Sequence, residues 1–134
     1  MQIGIDLGAS KIEYVLLDDV GNEHHRERTE VPKNYKDTLS IIKKIVIELE
    51  RKAGKELPVG VCHPGIHSIQ TGLVKNAPNS FWINGKPLQR DLRSEIGKEI
   101  YCENDANCFA LSEAIDGSGK PVSYTHLRAH ETSI

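Results

Sequence analysis

The sequence predicts an α/β domain whose mixed β-sheet begins as a β-meander and carries flanking helices. Three features of the residue pattern support this fold class. Three strand-like segments, separated by turns, fill residues 2–31. The pattern then changes to helical spacing between residues 34 and 54. After residue 56, short apolar runs alternate with further helical segments, which is typical of an α/β chain.

The meander is predicted from local residue preferences. In residues 2–7 an isoleucine or leucine stands at every second position, as in a strand. Residues 11–17 (KIEYVLL) are rich in the β-branched and aromatic residues that favour strands. A turn over residues 18–22 leads to a polar third strand over residues 23–31, which we expect to be exposed on one side.

A helix is predicted from apolar residues that recur three and four positions apart. These residues are Leu39, Ile42, Ile45, Val46 and Leu49. Asn34 is expected to cap the start of this helix, with Asp37 three residues later in the place of a capping-box acid. Gly54 follows Lys52 and is expected to end the helix.

The rest of the chain alternates predicted strands and helices. A buried strand over 57–62 is followed by a break at 63–65 and by a hairpin over 66–75 that turns at Thr71-Gly72. A loop over 76–87 then leads to a helix over 88–96, which Gly97 ends. The last predicted elements are a strand over 99–102 and a final helix that is capped by Asn104 or Asp105 and followed by Gly117. This order completes the predicted α/β arrangement.

Composition limits the class of protein. The chain of 134 residues is long enough for one compact domain. Its formal net charge of -2 gives no electrostatic case for a nucleic-acid partner. It contains no apolar run of membrane-spanning length and no recognisable secretory leader. We therefore expect a cytoplasmic protein without a membrane partner, in which Cys62, Cys102 and Cys108 are buried thiols.

The opening segment IGIDLGASK brings a carboxylate, Asp6, to the end of a strand, where burial without a partner would be costly. One interpretation is a phosphate site. Small residues in the turn would let backbone N–H groups approach an anion, Ser10 and Lys11 would add a hydroxyl and a charge, and Asp6 would hold Mg²⁺ through water. The other interpretation is an ordinary hairpin turn with a capping aspartate. Both stay open at this point.

The segment ENDANC at residues 103–108 is a second candidate, because a strand leads there into the start of a helix. The helix dipole lowers the pKa of a carboxylate at that position. Asp105 could therefore accept a proton from a substrate hydroxyl at neutral pH while Asn104 hydrogen-bonds the same substrate. The alternative is a structural N-cap, for which Asn and Asp are preferred residues.

The asparagine-rich loop that contains the single tryptophan, Trp82, is a third candidate. Amide side chains hydrogen-bond hydroxyl groups as donors and as acceptors, and an aromatic face covers C–H surfaces. The loop therefore suits a polyol. The alternative is a surface turn with Trp82 folded onto the core.

The last segment, residues 121–134 (PVSYTHLRAHETSI), has no clear apolar period. Residues 122–132 resemble one reading frame of a Nextera-type sequencing adapter. We therefore expect the natural sequence to end near Lys120 and the segment 121–134 to be a non-native tail. His126 and His130 are for that reason not assigned as metal ligands, despite their i, i+4 spacing. The alternative is a native, disordered tail.

Taken together, these segments resemble the ROK family (repressors, open reading frames and sugar kinases). Residues 6–11 (DLGASK) are similar to its DxGGTK phosphate loop, residues 63–65 (HPG) to its IPG segment, residues 74–88 (VKNAPNSFWINGKPL) to its sugar loop, and residues 103–114 (ENDANCFALSEA) to its catalytic-base segment. The resemblance covers nearly all of residues 1–120 and is strongest to the branch of fructokinases and N-acetylglucosamine kinases.

The resemblance implies that residues 1–120 form the N-terminal lobe of an actin-like, ribonuclease H-like ATPase domain. It implies an enzyme that uses ATP and Mg²⁺ to phosphorylate the 6-hydroxyl group of a hexose such as fructose or N-acetylglucosamine. By the same resemblance Asp105 is the general base, and Gly65, Asn79 and Asn104 hold the sugar together with Asp105. The implied nucleotide-binding residues are Gly4, Ile5, Asp6, Leu7, Gly8, Ala9, Ser10 and Lys11, with Asp6 binding Mg²⁺ through water.

The chain departs from the family pattern in its turn and before its HPG segment. Ala9 and Ser10 stand where Gly and Thr are usual, and a Cβ atom at Ala9 is expected to strain a turn that requires a positive φ. Cys62-His63 replaces a more apolar pair, which weakens the implied sugar contact at Gly65. The family's second phosphate loop and zinc site are expected in a C-terminal half that this chain lacks. The complete protein is expected to be a homodimer.

Two other classes of function are open. A sugar-responsive ROK transcriptional repressor needs a helix-turn-helix ahead of the phosphate loop, whereas here that loop follows Met1 after a few residues. A non-catalytic sugar-binding domain is the other alternative, and the presence of Asp105 argues against it.

Overall fold

The computed structural model describes residues 1–77 and 79–104. Its main element is a five-stranded mixed sheet with the strand order β3-β2-β1-β4-β7. The strands are β1 (Gln2–Leu7), β2 (Lys11–Leu17), β3 (Glu23–Glu30), β4 (Val59–His63) and β7 (Ile100–Asn104), and a separate two-stranded sheet pairs β5 (Ile66–His67) with β6 (Val74–Lys75). The predicted α/β class and the initial meander are confirmed.

Two helices, α1 (Tyr35–Ala53) and α2 (Leu88–Ile96), and a 3₁₀ turn at Phe81–Ile83 connect the strands. Helix α1 begins where the Asn34 side chain accepts a hydrogen bond from the N–H of Asp37 at 2.8 Å. It ends at Gly54, whose φ of 76° is left-handed and whose N–H donates to the last turn of the helix. Both predicted cap residues are confirmed.

The parallel part of the sheet positions the candidate site. Strand β1 pairs antiparallel with β2 and parallel with β4, and β4 pairs parallel with β7. Parallel strands bring their carboxyl ends to one edge of the sheet. Asp6 of β1 therefore lies beside Cys62 of β4, and His63 of β4 lies beside Asn104 of β7.

One face of the sheet packs into a hydrophobic core with the two helices. Ile5 and Leu7 of β1 join Ile42 and Leu49 of α1 and Leu92 of α2 in a single cluster of buried side chains. Burying each side chain of this size contributes about 1.5–3 kcal/mol. Because side chains alternate along a strand, the residues between them in β1 face the opposite side.

Strand β3 forms one edge of the sheet, and its side chains are exposed or partly exposed. Seven of its eight residues, EHHRERTE, are Glu, Arg or His. Charged side chains on an edge strand oppose the addition of another strand. The prediction that this polar strand is exposed on one side is confirmed by the exposed or partly exposed side chains.

Strand ends defined by pairing with distant residues differ from the prediction. Strand β4 starts two residues later than expected and includes His63, and β7 extends to Asn104. The physical reason is the parallel register from Val59–Ile100 to His63–Asn104, which local residue preferences do not contain. Strand β3 ends at Glu30, and the predicted loop 76–87 includes the 3₁₀ turn.

Two of the three cysteines fall within the described residues. Cys102 is a buried free thiol, and its burial raises the pKa of that thiol to about 12. Cys62 is disulfide-bonded, so the expectation of a thiol is wrong at that position. That expectation depended on a reducing, cytoplasmic compartment, which does not show which side chains meet in space.

Several predictions concern residues outside the described ranges. They are Asp105 as base or cap, Cys108, the final helix, and the tail 121–134. Within the described ranges, no helix has both the length and the apolar character needed to cross a membrane.

Candidate functional site

A tight turn joins β1 to β2. The N–H of Gly8 donates to the carbonyl oxygen of Lys11 at 2.9 Å, and the N–H of Val31 donates to the carbonyl oxygen of Ser10 at 3.1 Å. A Cβ atom at Gly8 would lie 2.8 Å from the carbonyl oxygen of Lys11. Position 8 therefore requires glycine, because the backbone of Lys11 approaches the backbone of Gly8 too closely for a side chain.

Ala9 fits this turn without backbone strain. Among the described residues other than glycine, only Asn76 has a positive φ. The backbone at Ala9 consequently lies in a region open to any L-residue. The expected strain at Ala9 is not found, because the Gly8–Lys11 hydrogen bond closes the turn without a left-handed residue at position 9.

A polar cleft of ≈ 270 Å³ opens beside the turn. Its lining residues are Asp6, Gly8, Ala9, Ser10, Lys11, Glu13 and Arg28. Five of the predicted nucleotide-binding residues, Asp6 and positions 8–11, thus line one cleft. The other three do not line it: Gly4 lies further back in β1, and the side chains of Ile5 and Leu7 are buried in the core.

The turn also presents backbone donors. The N–H groups of Ala9 and Ser10 donate no hydrogen bond to any of the described residues. Two consecutive amides of this kind, beside the hydroxyl of Ser10 and the ammonium of Lys11, form a donor set that suits a phosphate group.

Two carboxylates lie side by side in the cleft. Asp6 and Glu13 face each other in the β1–β2 register, and both are more than nine-tenths buried. Arg26 donates to Glu13 at 3.3 Å and is also paired with Glu23. The guanidinium of Arg26 therefore helps to balance the buried charge of Glu13, which would otherwise be costly.

The chemistry of the cleft fits Mg²⁺ bound together with phosphate groups. A carboxylate and a hydroxyl supply oxygen ligands, and Mg²⁺ typically takes one or two carboxylates plus water and phosphate oxygens. A metal held by protein side chains alone is a different case. The described residues contain no cluster of three or more His, Cys, Asp or Glu side chains that could hold such an ion.

The predicted sugar residues Gly65 and Asn104 belong to the carboxyl ends of neighbouring strands. Asn104 is the last residue of β7 and lies beside His63, two residues before Gly65. The φ of Gly65 is 76°, and a Cβ atom there would collide with the carbonyl oxygen of Lys75 and approach the Ala77 Cβ to 3.1 Å. Gly65 thus lets the start of the predicted sugar loop approach the end of β4.

Asn79 is exposed on that loop. The loop is held closed by Asn84, whose side chain accepts from the N–H of Ala77 and donates to its carbonyl oxygen, both at 3.0 Å. Trp82 is buried in the core cluster, as the structural alternative for this residue predicted. Its indole N–H has no hydrogen-bond partner among the described residues.

A pair of histidines lies at the end of β4 and in β5. His63 is fully buried, and its ring meets the ring of His67 edge to face, with centroids 4.7 Å apart. The Nδ1 of His63 lies 2.8 Å from the carbonyl oxygen of Pro64, so Nδ1 carries the proton and Nε2 is an acceptor. Neither Nε2 atom has a hydrogen-bond partner in the described part of the chain.

Both histidines are held in the neutral form. Burial lowers the pKa of His63, and the hydrogen bond to Pro64 opposes this only partly. Burial and the neighbouring His63 lower the pKa of His67 from 6.5 to about 4. Protonating either ring would place a charge in a buried site that offers it no carboxylate among the described residues.

We expect the chain to lose stability as the pH falls from 6.5 towards 4. The folded pKa of each ring lies below its unfolded value, so the unfolded state binds more protons in this window, and the stabilising effect is complete only above pH 6.5. Urea denaturation at several pH values measures the effect. His67→Gln should flatten the dependence, whereas His24→Gln, on an exposed strand, should not. A profile unchanged by His67→Gln would contradict the prediction.

Sequence reasoning did not identify Arg28 or the His63–His67 pair. Arg28 belongs to a strand whose polar sequence predicts solvent exposure. Its place at the cleft follows only from the β2–β3 register, in which it lies opposite Glu13. The alternation of β3 could have indicated which of its residues share a face, but not which neighbour they meet. His63 was recognised as a departure from the family pattern, without its contact to His67.

Comparisons with known proteins agree with the fold. The ROK family model matches residues 2–125. The chain is 39% identical over 117 residues to the N-acetyl-D-glucosamine kinase of Haemophilus influenzae, and 38% identical over 119 residues to that of Vibrio atlanticus. These matches cover 87% of this chain and 38% of each relative. The chain therefore spans well under half the length of the curated relatives it matches.

Solved structures give the same result. The ROK family glucokinase of Streptomyces griseus, solved with glucose and AMPPNP, matches with a TM-score of 0.72 and 26% identity, over 89% of this chain and 38% of that one. The polyphosphate/ATP-glucomannokinase of Arthrobacter matches with a TM-score of 0.70 and 31% identity, over 90% of this chain and 50% of that one. The expected actin-like ATPase architecture is confirmed. By sequence and by structure, this chain belongs to the ROK family.

Proposed function

We propose that this chain is the N-terminal lobe of an ATP-dependent sugar kinase. Residues 1–120 would form the lobe, and residues 121–134 would be a non-native tail. The complete protein would transfer the γ-phosphoryl group of ATP to the 6-hydroxyl group of a hexose. One observation carries the proposal: the polar cleft at the end of β1 shares a sheet edge with Gly65 and Asn104, so a phosphate site and a sugar site would adjoin.

The residues have complementary roles in this proposal. Phosphoryl transfer depends on positioning and on neutralising charge rather than on covalent chemistry by the protein. The amides of the turn, Ser10 and Lys11 would bind phosphate oxygens. Asp6 would hold Mg²⁺ through water, and that ion, when bound, supplies positive charge to the phosphates.

The sugar would be bound by residues at the ends of β4 and β7. Asn104, Asn79 and Gly65 would hold its hydroxyl groups, and Asp105 would accept the proton of the attacking 6-hydroxyl. N-Acetyl-D-glucosamine is our first candidate for the sugar, because the curated relatives are named N-acetyl-D-glucosamine kinases. Fructose is our second, from the resemblance of the motifs.

A sugar panel with the complete protein tests the proposal. We expect ADP formation that depends on one of four sugars (N-acetylglucosamine, fructose, glucose or mannose), with the product phosphorylated at the 6-position by NMR. The 134-residue chain by itself should be inactive, because both lobes must close on ATP. Sugar binding without any phosphoryl transfer by the complete protein would instead favour the non-catalytic alternative. Robust phosphorylation by the chain alone would contradict its assignment as a single lobe.

A further inference from the structure

Arg28 is a cationic residue of the cleft that lies outside the phosphate-loop motif. It belongs to β3, lies opposite Glu13 in the β2–β3 register, and lines the cleft together with Asp6 and Ser10. Directly opposed residues of antiparallel strands project from the same face of a sheet. The third strand therefore adds a guanidinium group to a site whose other residues come from β1, β2 and the turn between them.

Among the described residues, no carboxylate pairs with Arg28, although Asp6 and Glu13 line the same cleft. Glu13, the carboxylate directly opposite, is held by Arg26, which lies two residues earlier on the same face of β3. Lys11 is the other cation that lines the cleft, and its Nζ lies 3.8 Å from Oε2 of Glu30. Arg28 makes no hydrogen bond or ion pair with any residue that the structure describes.

An arginine in this position suits an anion with several oxygen atoms. The planar guanidinium group donates two parallel hydrogen bonds to a phosphate, which a lysine cannot do. Ala9 and Ser10 line the same cleft, and their amides, which donate no hydrogen bond to a described residue, also suit phosphate oxygens. Arg28 of β3 and the turn between β1 and β2 would thus bind a polyphosphate chain from two different parts of the meander.

We infer that Arg28 is a phosphate-binding residue that positions the polyphosphate chain of the nucleotide, an inference that rests on the proposed kinase function. Its contribution is specific to phosphate and does not extend to the nucleoside or to the sugar. A surface arginine that only keeps the edge strand soluble is the alternative, and it would have no such specificity.

Three variants of the complete protein test this role: Arg28→Met, Arg28→Lys and, as a matched control, Arg90→Met. Arg90 is an exposed arginine of α2 that does not line the cleft. Arg28→Met removes the charge-assisted hydrogen bonds to phosphate. It should therefore raise the Kd for ATP and for tripolyphosphate about 10- to 100-fold. The Kd for adenosine and the KM for the sugar should stay unchanged. Arg28→Lys should recover part of the loss, and Arg90→Met should behave as the wild type.

The outcomes separate this inference from the proposed function. If the wild type phosphorylates a sugar and Arg28→Met binds ATP as Arg90→Met does, the inference is overturned and the kinase function stands. If tripolyphosphate binding depends on Arg28 but no sugar is phosphorylated, the kinase function fails and the inference stands. Equal losses for adenosine, sugar and ATP would show a merely structural role and overturn the inference. A wild type that binds neither ATP nor tripolyphosphate would overturn both.

Discussion

If the complete protein is the sugar kinase proposed above, replacing Asp105 by asparagine is expected to lower its kcat by about 10²–10⁴-fold, the usual cost of losing a general base. Strand β7 brings Asn104 to the sheet edge beside His63, and Asp105 follows directly in the sequence. Asparagine keeps the size and the capping ability of aspartate but cannot accept the proton of the attacking hydroxyl. Because its amide can still hydrogen-bond the sugar, sugar affinity should change far less than kcat.

Steady-state kinetics with a separate measurement of sugar binding distinguish this role from a structural one. A pure N-cap predicts nearly full activity, since Asn caps a helix as well as Asp does. Asp37→Asn makes the same chemical change at the start of α1, where Asp37 hydrogen-bonds the capping residue Asn34, and should leave kcat unchanged. A near-wild-type kcat for Asp105→Asn would mean that the base lies elsewhere.

The parts of the fold that local residue preferences determine could be predicted from the sequence. The meander follows from alternation and from β-branched residues. The ends of α1 follow from Asn34 and Gly54, whose hydrogen bonds are made within one turn of the chain. The exact ends of β4 and β7 could not be predicted in this way, because they depend on parallel pairing between residues about 40 positions apart.

The candidate site shows the same division. Asp6, Gly8 and Ser10 are neighbours in sequence, so the motif that contains them predicts a single cleft. The predicted nucleotide-binding residues also include Ile5 and Leu7, whose side chains are buried in the core. Arg28 and the His63–His67 pair lie outside the motif. The β2–β3 register places Arg28 opposite Glu13, and the ring contact between His63 and His67 forms only in the folded chain.

Replacing Gly65 by alanine is expected to cost about 3 kcal/mol or more in the free energy of unfolding, because two penalties combine. The left-handed φ of 76° is unfavourable for alanine, and the new Cβ atom would collide with the carbonyl oxygen of Lys75. That oxygen is backbone and cannot rotate away. The collision would therefore force β6 and the loop that begins at Ala77 away from the end of β4.

Gly72→Ala is the matched control that separates backbone strain from this collision. Gly72 has nearly the same φ, 73°, but a Cβ atom there would have no neighbour within 4 Å. Urea denaturation should therefore show a loss of only about 1 kcal/mol for Gly72→Ala, from strain alone. Equal losses at the two positions would mean that strain alone sets the effect at Gly65. A clearly larger loss at Gly65 would show that the close approach of two backbone segments is what requires glycine there. The conformation of the predicted sugar loop would then depend on the missing side chain at position 65.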